Sequence, residues 1–261
     1  MTETTEEKNV ELLESLSKGL ALLRLFATGI PAITIQDVAA KLDVTRAAAR
    51  RLLLTLQHHG YVAQHGRLFS VTPRVIELGY AYFASMDLPR LAAPAMRDLA
   101  LEVSQTCSLG VLDGDSVTLI AREEPEMVLR LDLSVGRRLP AYAHSLGRPL
   151  LAALDSEQWN DYLQRVDLRR LSPYTTTSRT ALESALKQIR EDGYCVVLDE
   201  MTEGVGGISV PIRNHAGTVA ASMNVSMVLG RRTRETIVRD YLPPLQAAVA
   251  SVEKVLHAVR G

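Results

Sequence analysis

Apolar residues recur with a helical period in three successive stretches near the start of the chain. Between Ser15 and Gly29, leucines and a phenylalanine return every three or four residues, which is typical of a helix that buries one face. Thr34 opens a short second stretch with the capping pattern [ST]-x-x-[DE]. From Thr45, a good N-cap, to Gly60, a good stop, the apolar residues again share one face. The pattern predicts three helices in a row.

The polar face of the third predicted helix is unusual because its charges are all positive. Arg46, Arg50 and Arg51 crowd its first two turns, whereas a solvated helix mixes signs and favours acids near its N-terminus. This arrangement suits a helix whose N-terminal end lies against phosphates and base edges in a major groove. Taken alone, it could also be an ordinary amphipathic helix with a basic surface.

A short period-two pattern follows the basic helix. Residues 61–64 and 68–71 read as two strands joined by a turn at 65–67. Two short helices with a tight turn, followed by such a hairpin, predict a winged helix-turn-helix with Arg67 at the tip of the wing. The residues predicted to contact DNA are Thr34, Thr45, Arg46, Ala47, Arg50, Arg51 and Arg67.

The stretch 73–86 is apolar nearly all round a helix. One small domain cannot hide such a surface, so we expect a linker helix that packs between domains and against a second subunit. The alternative is one more core helix of a single domain. The predicted organisation is a disordered acidic tail at 1–14, the winged helix-turn-helix at 15–72, the linker helix at 73–87 and a second domain at 88–261.

The second half of the chain alternates helix and strand patterns. We expect a helix over about 88–105, then strands at 107–112, 116–122, 128–134, 195–200, 206–213 and 218–227. A long helix over 233–259, interrupted at Pro243-Pro244, closes the chain. These elements predict an α+β domain with a mostly antiparallel sheet.

Charge and composition narrow the class of protein. The net charge is −1, but residues 15–80 carry eight Lys or Arg against three Asp or Glu, a difference of +5, where a nucleic-acid-binding module needs it. No apolar run approaches the ~18 residues of a transmembrane helix, and the acidic start lacks the apolar region of a secretory signal. Cys107 and Cys195 are too few for a disulfide framework. We expect a cytoplasmic protein with buried free thiols.

Catalytic and metal-binding motifs are missing from the sequence. It contains no G-x-S-x-G, H-E-x-x-H, P-loop or complete G-x-G-x-x-G, and its histidines and cysteines lack metal-ligand spacing. No catalytic residue, metal or cofactor is therefore predicted. The rival hypothesis is a metabolite-binding enzyme or sensor whose basic N-terminal module serves another partner.

Several long motifs resemble those of the IclR family of bacterial transcription regulators. They are SLSKGLALLRLFAT, TIQDVAAKL, TRAAARRLLLTLQHHGYV and GRLFSVTPRVIELGYAYFAS. The run TRAAARRLLLTL with VTPRVIELGYAY is especially similar to the branch that governs protocatechuate, 4-hydroxybenzoate and β-ketoadipate catabolism. The resemblance implies a GAF-like effector-binding domain, an operator in double-stranded DNA, a small organic acid as effector, and homodimers that can pair into tetramers.

A candidate site for that acid begins at His144. Residues 144–148 open a predicted helix, where free N–H groups, an imidazole, a hydroxyl and a guanidinium would bind an anion. The resemblance adds a glycine loop and two positions on the last strand, and Arg148 replaces the lysine usual in the family. The predicted effector residues are His144, Ser145, Leu146, Gly147, Arg148, Gly206, Gly207, Asn224 and Ser226. We expect a carboxylate near Ser145–Arg148 and the far polar end of the ligand near Asn224 and Ser226, a pattern that fits a mono-acid with a para hydroxyl or a short keto-diacid. Taken singly, each of these predicted effector residues could instead be a helix cap at the surface or a hydrogen-bonded polar group of the core.

Overall fold

The computed structural model describes residues 12–79, 87–125 and 133–259. The chain divides between residues 86 and 87 into two compact units, called here the N-terminal unit and the C-terminal unit. The predicted tail at 1–14 lies, except for its last three residues, outside the described part. Of the predicted linker helix at 73–87, the structure describes residues 73–79, which begin with a 3-10 turn at Pro73–Val75, and residue 87. Residues 80–86 lie outside the described part. No helix in the described ranges is long and apolar enough to cross a membrane.

The N-terminal unit contains the three predicted helices and the predicted hairpin. These are α1 (Glu14–Phe26), α2 (Ile35–Lys41), α3 (Arg46–His58), β1 (Val62–His65) and β2 (Leu68–Val71). One apolar core joins them, made of Leu22, Phe26, Ile33, Val38, Ala49, Leu53, Val62 and Phe69. Ile33, just before α2, also pairs with Phe69 of β2 through two backbone hydrogen bonds. The hairpin is thereby tied to the helices.

Side-chain caps fix where α2 and α3 begin. The Thr34 hydroxyl accepts from the Asp37 N–H at 3.2 Å, and the Asp37 carboxylate accepts from the Thr34 N–H at 2.9 Å, which confirms the predicted capping box. At α3, the Thr45 hydroxyl accepts from the Ala48 N–H at 3.2 Å. Such caps satisfy N–H groups that have no partner inside the helix. They therefore hold the first turns of both helices in place.

The C-terminal unit is a six-stranded antiparallel sheet with helices, which confirms the predicted α+β class. Its elements are α4 (Leu88–Val103), β3 (Thr106–Asp113), β4 (Ser116–Glu123), β5 (Arg138–Pro140), α5 (Gly147–Ala152), α6 (Ser156–Arg165), α7 (Arg179–Asp192), β6 (Cys195–Leu198), β7 (Val205–Arg213), β8 (Val219–Val228) and α8 (Arg234–Val259). The strand order is β5-β4-β3-β8-β7-β6. The strand predicted at 128–134 lies almost wholly outside the described residues.

The register of the central strands determines which side chains meet. β8 lies between β3 and β7, with Asn224 opposite Ser209 and Ser226 opposite Gly207 on β7. Because side chains on a strand alternate between faces, Asn224 and Ser226 share one face of β8. The short helix α5 contacts β3, β7 and β8, which brings the segment around residue 145 against the sheet.

The closing helix differs from the prediction. The sequence predicted an interruption at Pro243-Pro244, but α8 runs through both prolines. Proline removes an intrahelical hydrogen bond and strains the preceding turn. On either side of the pair, however, Tyr241 and Leu245 are buried, and α8 packs against β7. Most helical stability in a folded protein comes from such packing, so the helix continues.

Candidate nucleic-acid interface and ligand cavity

An open groove lies in the N-terminal unit between the starts of α2 and α3 and the wing. It is lined by Thr34, Ile35, Gln36, Arg46, Ala47, Arg50, Gln64, Gly66, Arg67 and Phe69. Five of the residues predicted to contact DNA line this one groove: Thr34, Arg46, Ala47, Arg50 and Arg67. The helix-turn-helix and the wing thus present their polar residues to a common space.

The groove carries positive charge without compensation. No Asp or Glu is among the described residues that line it, and Arg46, Arg50 and Arg67 are exposed. Among the residues that the structure describes, none of these three guanidiniums forms an ion pair. An uncompensated row of arginines at a helix N-terminal end is suited to phosphate and base-edge contacts.

Two of the residues predicted to contact DNA are not in the lining of this groove. The Thr45 hydroxyl caps α3 and is not part of the groove lining. Arg51 lies in a separate groove between α1 and α3, beside Glu14 and Lys18. Conversely, Gln36 and Gln64 line the open groove but were not predicted to contact DNA. The sequence did contain a signal for Gln36, because this residue comes two positions after Thr34, the predicted cap of α2.

A cavity of about 240 Å³ lies in the C-terminal unit. Its lining comes from five segments of the chain and comprises Leu133, Ala143, His144, Ser145, Val197, Met201, Thr202, Val205, Gly206, Gly207 and Ser226. Five of the predicted effector residues are among them: His144, Ser145, Gly206, Gly207 and Ser226. The apolar lining residues were not predicted, since each would fit an ordinary strand or loop equally well.

A buried amide ties together two hydroxyls of the cavity wall. Asn224 is fully buried, and its Nδ2 donates to Ser145 Oγ at 3.0 Å and to Ser226 Oγ at 2.8 Å. A Cβ added at Gly207 would lie 2.6 Å from Ser145 Oγ, so the glycine is what lets this hydroxyl sit against β7. The sequence placed Ser145 and Ser226 at opposite ends of the ligand, whereas the structure brings them to one Asn224 side chain.

His144 contributes a neutral imidazole to the same wall. Its Nδ1 accepts from the Leu146 N–H at 3.1 Å, so the proton of the neutral ring resides on Nε2. Burial, reinforced by the positive charge of Arg122, lowers the pKa of His144 to about 4. At neutral pH the residue is therefore an uncharged donor.

The predicted anion site at the start of α5 is not formed. The N–H of Leu146 donates to His144 Nδ1, and the N–H groups of Gly147 and Arg148 donate to the His144 carbonyl. These N–H groups are therefore not free for a ligand. The Leu146 side chain is fully buried, and Gly147 lies against the Ala141 backbone, which a Cβ would approach to 2.3 Å. Neither residue lines the cavity.

Arg148 is also absent from the lining, contrary to the prediction. Its Nη2 pairs with Glu200 Oε2 at 2.6 Å, and its Nε donates to the Tyr142 carbonyl at 2.7 Å. A buried charge needs a partner and hydrogen bonds, and this guanidinium finds both in the protein. Glu200 also accepts from the Thr176 N–H at 2.8 Å. The pair thus anchors the loop between β6 and β7, which carries Met201 and Thr202 to the cavity.

The two cysteines of the C-terminal unit are not among the described residues that line the cavity. Cys107 and Cys195 are buried free thiols, as predicted, and desolvation raises the pKa of both. No group of three or more His, Cys, Asp or Glu side chains in the described ranges could hold a metal ion.

Family models match nearly the whole chain. The model of the IclR helix-turn-helix domain matches residues 15–66, and the model described as bacterial transcriptional regulator IclR C-terminal matches residues 80–254. The C-terminal match begins at residue 80, seven residues before the second unit of the structure begins at Asp87.

Individual relatives agree with these matches. The Pca regulon regulatory protein of Pseudomonas putida is 38% identical over 91% of this chain and 82% of its own. The p-hydroxybenzoate hydroxylase transcriptional activator of Acinetobacter baylyi is 32% identical over 92% of this chain and 91% of its own. A solved inducer-binding domain of the PobR transcription factor from Acinetobacter, a double mutant in complex with 3-hydroxybenzoic acid, is 30% identical with a TM-score of 0.60. It covers 64% of this chain and 98% of its own.

Proposed function

The chain belongs to the IclR family of bacterial transcriptional regulators, and from this premise we propose that it controls genes of aromatic-acid catabolism in response to a hydroxybenzoate-like acid. The family and the relatives are transcriptional regulators rather than enzymes. The rival hypothesis of a metabolite-binding enzyme therefore loses its support. The finer points are which residues read DNA, what the cavity binds and how copies assemble.

For DNA, we propose that α3 enters the major groove with Arg46 and Arg50 toward base edges and phosphates. Ala47 lies between them in sequence and has a small side chain, which lets the helix approach closely. Arg67, on the wing, would contact the adjoining backbone. The support is that one groove holds all four residues and that its described lining contains no acidic side chain.

For assembly, we propose a homodimer that spans two half-sites, and pairing of dimers into a tetramer. Helix-turn-helix regulators bind half-sites about one helical turn apart as dimers. The N-terminal unit exposes large apolar side chains that a monomer would leave in water: Leu12, Leu13, Leu16 and Leu20 on or just before α1, and Ile76 and Leu78 after the wing. An exposed apolar surface of this kind marks a protein contact. We also propose that the protein acts in the cytoplasm, where bacterial operator DNA lies.

For the effector, the composition of the cavity carries the proposal. A dry cavity of about 150 Å³ is enough for benzene, so about 240 Å³ has room for one ring with small substituents. The donors of His144, Ser145 and Ser226 are neutral, and most other lining side chains are apolar. Among the described lining residues, one cluster of three neutral donors, with Thr202 as the remaining polar side chain, fits an aromatic mono-acid that carries a hydroxyl better than a keto-diacid, which would need donors for a carboxylate at both ends. The relative that binds 3-hydroxybenzoic acid supports the same class.

Ligand binding changes operator affinity only if the acid binds the two DNA-affinity states of the protein unequally. We therefore expect a coupling of about 1–3 kcal/mol, or roughly 5- to 150-fold in operator affinity. The sign of that change tells whether the acid strengthens or weakens operator binding.

The test uses the full chain and an operator fragment that the protein itself selects from a random DNA pool. Thermal shift should show that 4-hydroxybenzoate or 3-hydroxybenzoate raises Tm, because a ligand of the native state stabilises it by mass action. Benzylamine and glucose, a cation and a sugar, are the controls. Fluorescence anisotropy with the labelled fragment then measures the coupling. Failure to select any sequence from the pool would contradict the DNA assignment, and stabilisation by glucose but by no acid would contradict the effector assignment.

A further inference from the structure

We propose that Asn224, which lies behind the cavity wall, sets the polarity of the site by turning the hydroxyls of Ser145 and Ser226 into donors toward the ligand. This inference rests on the proposed function and deepens it. It concerns how the cavity selects a carboxylate when the described residues of its lining include no Arg or Lys. Asn224 is a positioning residue here, since it is not part of the lining itself.

The direction of the hydrogen bonds between Asn224 and the two serines follows from the number of hydrogens that each group carries. The Asn224 amide nitrogen carries two N–H groups, and they are directed at the two serine oxygens at 3.0 and 2.8 Å. Each hydroxyl then accepts one hydrogen bond and keeps its own proton to donate. Both serines line the cavity, so the remaining donor direction of each is open to a ligand. Because both hydroxyl oxygens accept a hydrogen bond from the same nitrogen, the two hydroxyls are close enough to donate to the two oxygens of one carboxylate.

The other end of the amide supports the same role. Asn224 Oδ1 is buried and has no hydrogen-bond partner among the described residues. A buried acceptor without a partner costs free energy, and natural proteins accept such local violations mainly at functional sites. If the amide were reversed, the serines would donate to Oδ1 and turn their lone pairs on the ligand. A carboxylate would then be repelled.

Anion recognition would thus depend on fixed neutral dipoles. His144 adds a third neutral donor through Nε2, since its Nδ1 is occupied. Such preoriented donors need no reorganisation when the ligand arrives, and they act strongly in a site from which water is excluded. The carboxylate class of the ligand would then be determined by a residue that never touches it.

The experiment reverses the polarity with a nearly isosteric change, Asn224→Asp. An aspartate accepts from both serines, so their lone pairs would face the cavity. Calorimetry on the full chain compares 4-hydroxybenzoate with 4-hydroxybenzamidine, a planar cation of similar shape. We expect wild type to prefer the acid and Asn224→Asp to lose about tenfold to a hundredfold in acid affinity, the range for hydrogen bonds to a charged group, while gaining affinity for the amidine. Simple damage to the fold would not produce that gain.

The matched control is Ser222→Ala, on the same strand and face, where the hydroxyl donates to the Leu146 carbonyl at 2.5 Å. It should leave the preference unchanged. Ser145→Ala and Ser226→Ala should each weaken acid binding, and they keep the test open if Asn224→Asp does not fold. Retention of acid binding by Asn224→Asp, loss of both ligands, or wild-type preference for the amidine would each overturn the inference. Wild type that binds neither probe but still binds operator would instead contradict the proposed effector class.

Discussion

In the N-terminal unit, three exposed arginines line an open groove whose described lining residues include no carboxylate. In the C-terminal unit, Arg148 is buried against Glu200, and the described residues of the cavity wall offer only neutral donors. A polyanion such as DNA stays partly in water and is bound by exposed cationic side chains that neutralise its phosphates. A small acid enclosed in a cavity is better matched by fixed dipoles, because an unpaired buried cation is costly whenever the ligand is absent.

The largest expected effect comes from breaking the buried pair. Glu200→Gln keeps the shape but leaves Arg148 charged and unpaired, which should destabilise the C-terminal unit by about 3–5 kcal/mol. Urea unfolding followed by the fluorescence of Trp159, the single tryptophan, reports on that unit.

Asp167→Asn is the control for Glu200→Gln, since it breaks the exposed pair with Arg169 and should cost about 1 kcal/mol or less. Replacing both buried partners with apolar residues, Arg148→Met with Glu200→Leu, should recover much of the stability. Equal effects of Glu200→Gln and Asp167→Asn would contradict the contrast between the two regions.

The neutral state of His144 gives the next effect. The pKa of His144 is about 4 in the folded chain and about 6.5 in the unfolded chain. Between these pH values, the unfolded state binds a proton on this imidazole that the folded state does not. Stability should therefore fall as pH decreases from about 6.5 to 4, by about 3 kcal/mol from this residue.

The measurement for His144 is the pH dependence of unfolding for wild type and His144→Asn, which should lack this contribution. The exposed His58 provides the control variant, His58→Asn. A parallel pH dependence in wild type and His144→Asn would mean that His144 is not held neutral.

A smaller effect separates two arginines on α3. Arg50→Ala should cost about 1–3 kcal/mol of operator binding if the guanidinium makes a bidentate base contact. Arg51→Ala should cost less, because Arg51 lies in the other groove. Anisotropy with the selected operator and with a scrambled fragment measures both. Should Arg51→Ala prove as damaging as Arg50→Ala, the DNA-facing surface would have to be redrawn.

The smallest effect is a difference in salt dependence. Operator affinity should fall with a log–log slope of about −0.9 per phosphate contacted, and Arg67→Ala should reduce that slope by about 1. Affinity for 4-hydroxybenzoate should change little over the same salt range, since buried interactions are screened far less. A steep salt dependence of acid binding would indicate exposed cations in the acid site after all.

The sequence by itself determined the local features of the N-terminal unit. Helix period, the caps at Thr34 and Thr45, and the turn at Gly66 depend on residues a few positions apart. The same locality placed Arg46 and Arg50 on one helix face. Arg51, one residue further on, points to another groove, because adjacent helical residues are separated by about 100°.

Only the tertiary structure decided the cavity. Ser145 and Asn224 are 79 residues apart, and Arg148 and Glu200 are 52 apart, so no local pattern could pair them. A guanidinium next to a helix start predicts an anion site when it is free and a structural ion pair when a carboxylate reaches it. Which of the two occurs depends on the loop that brings Glu200 to Arg148. The sheet register in turn makes Asn224, rather than Arg148, the residue that meets the cavity hydroxyls.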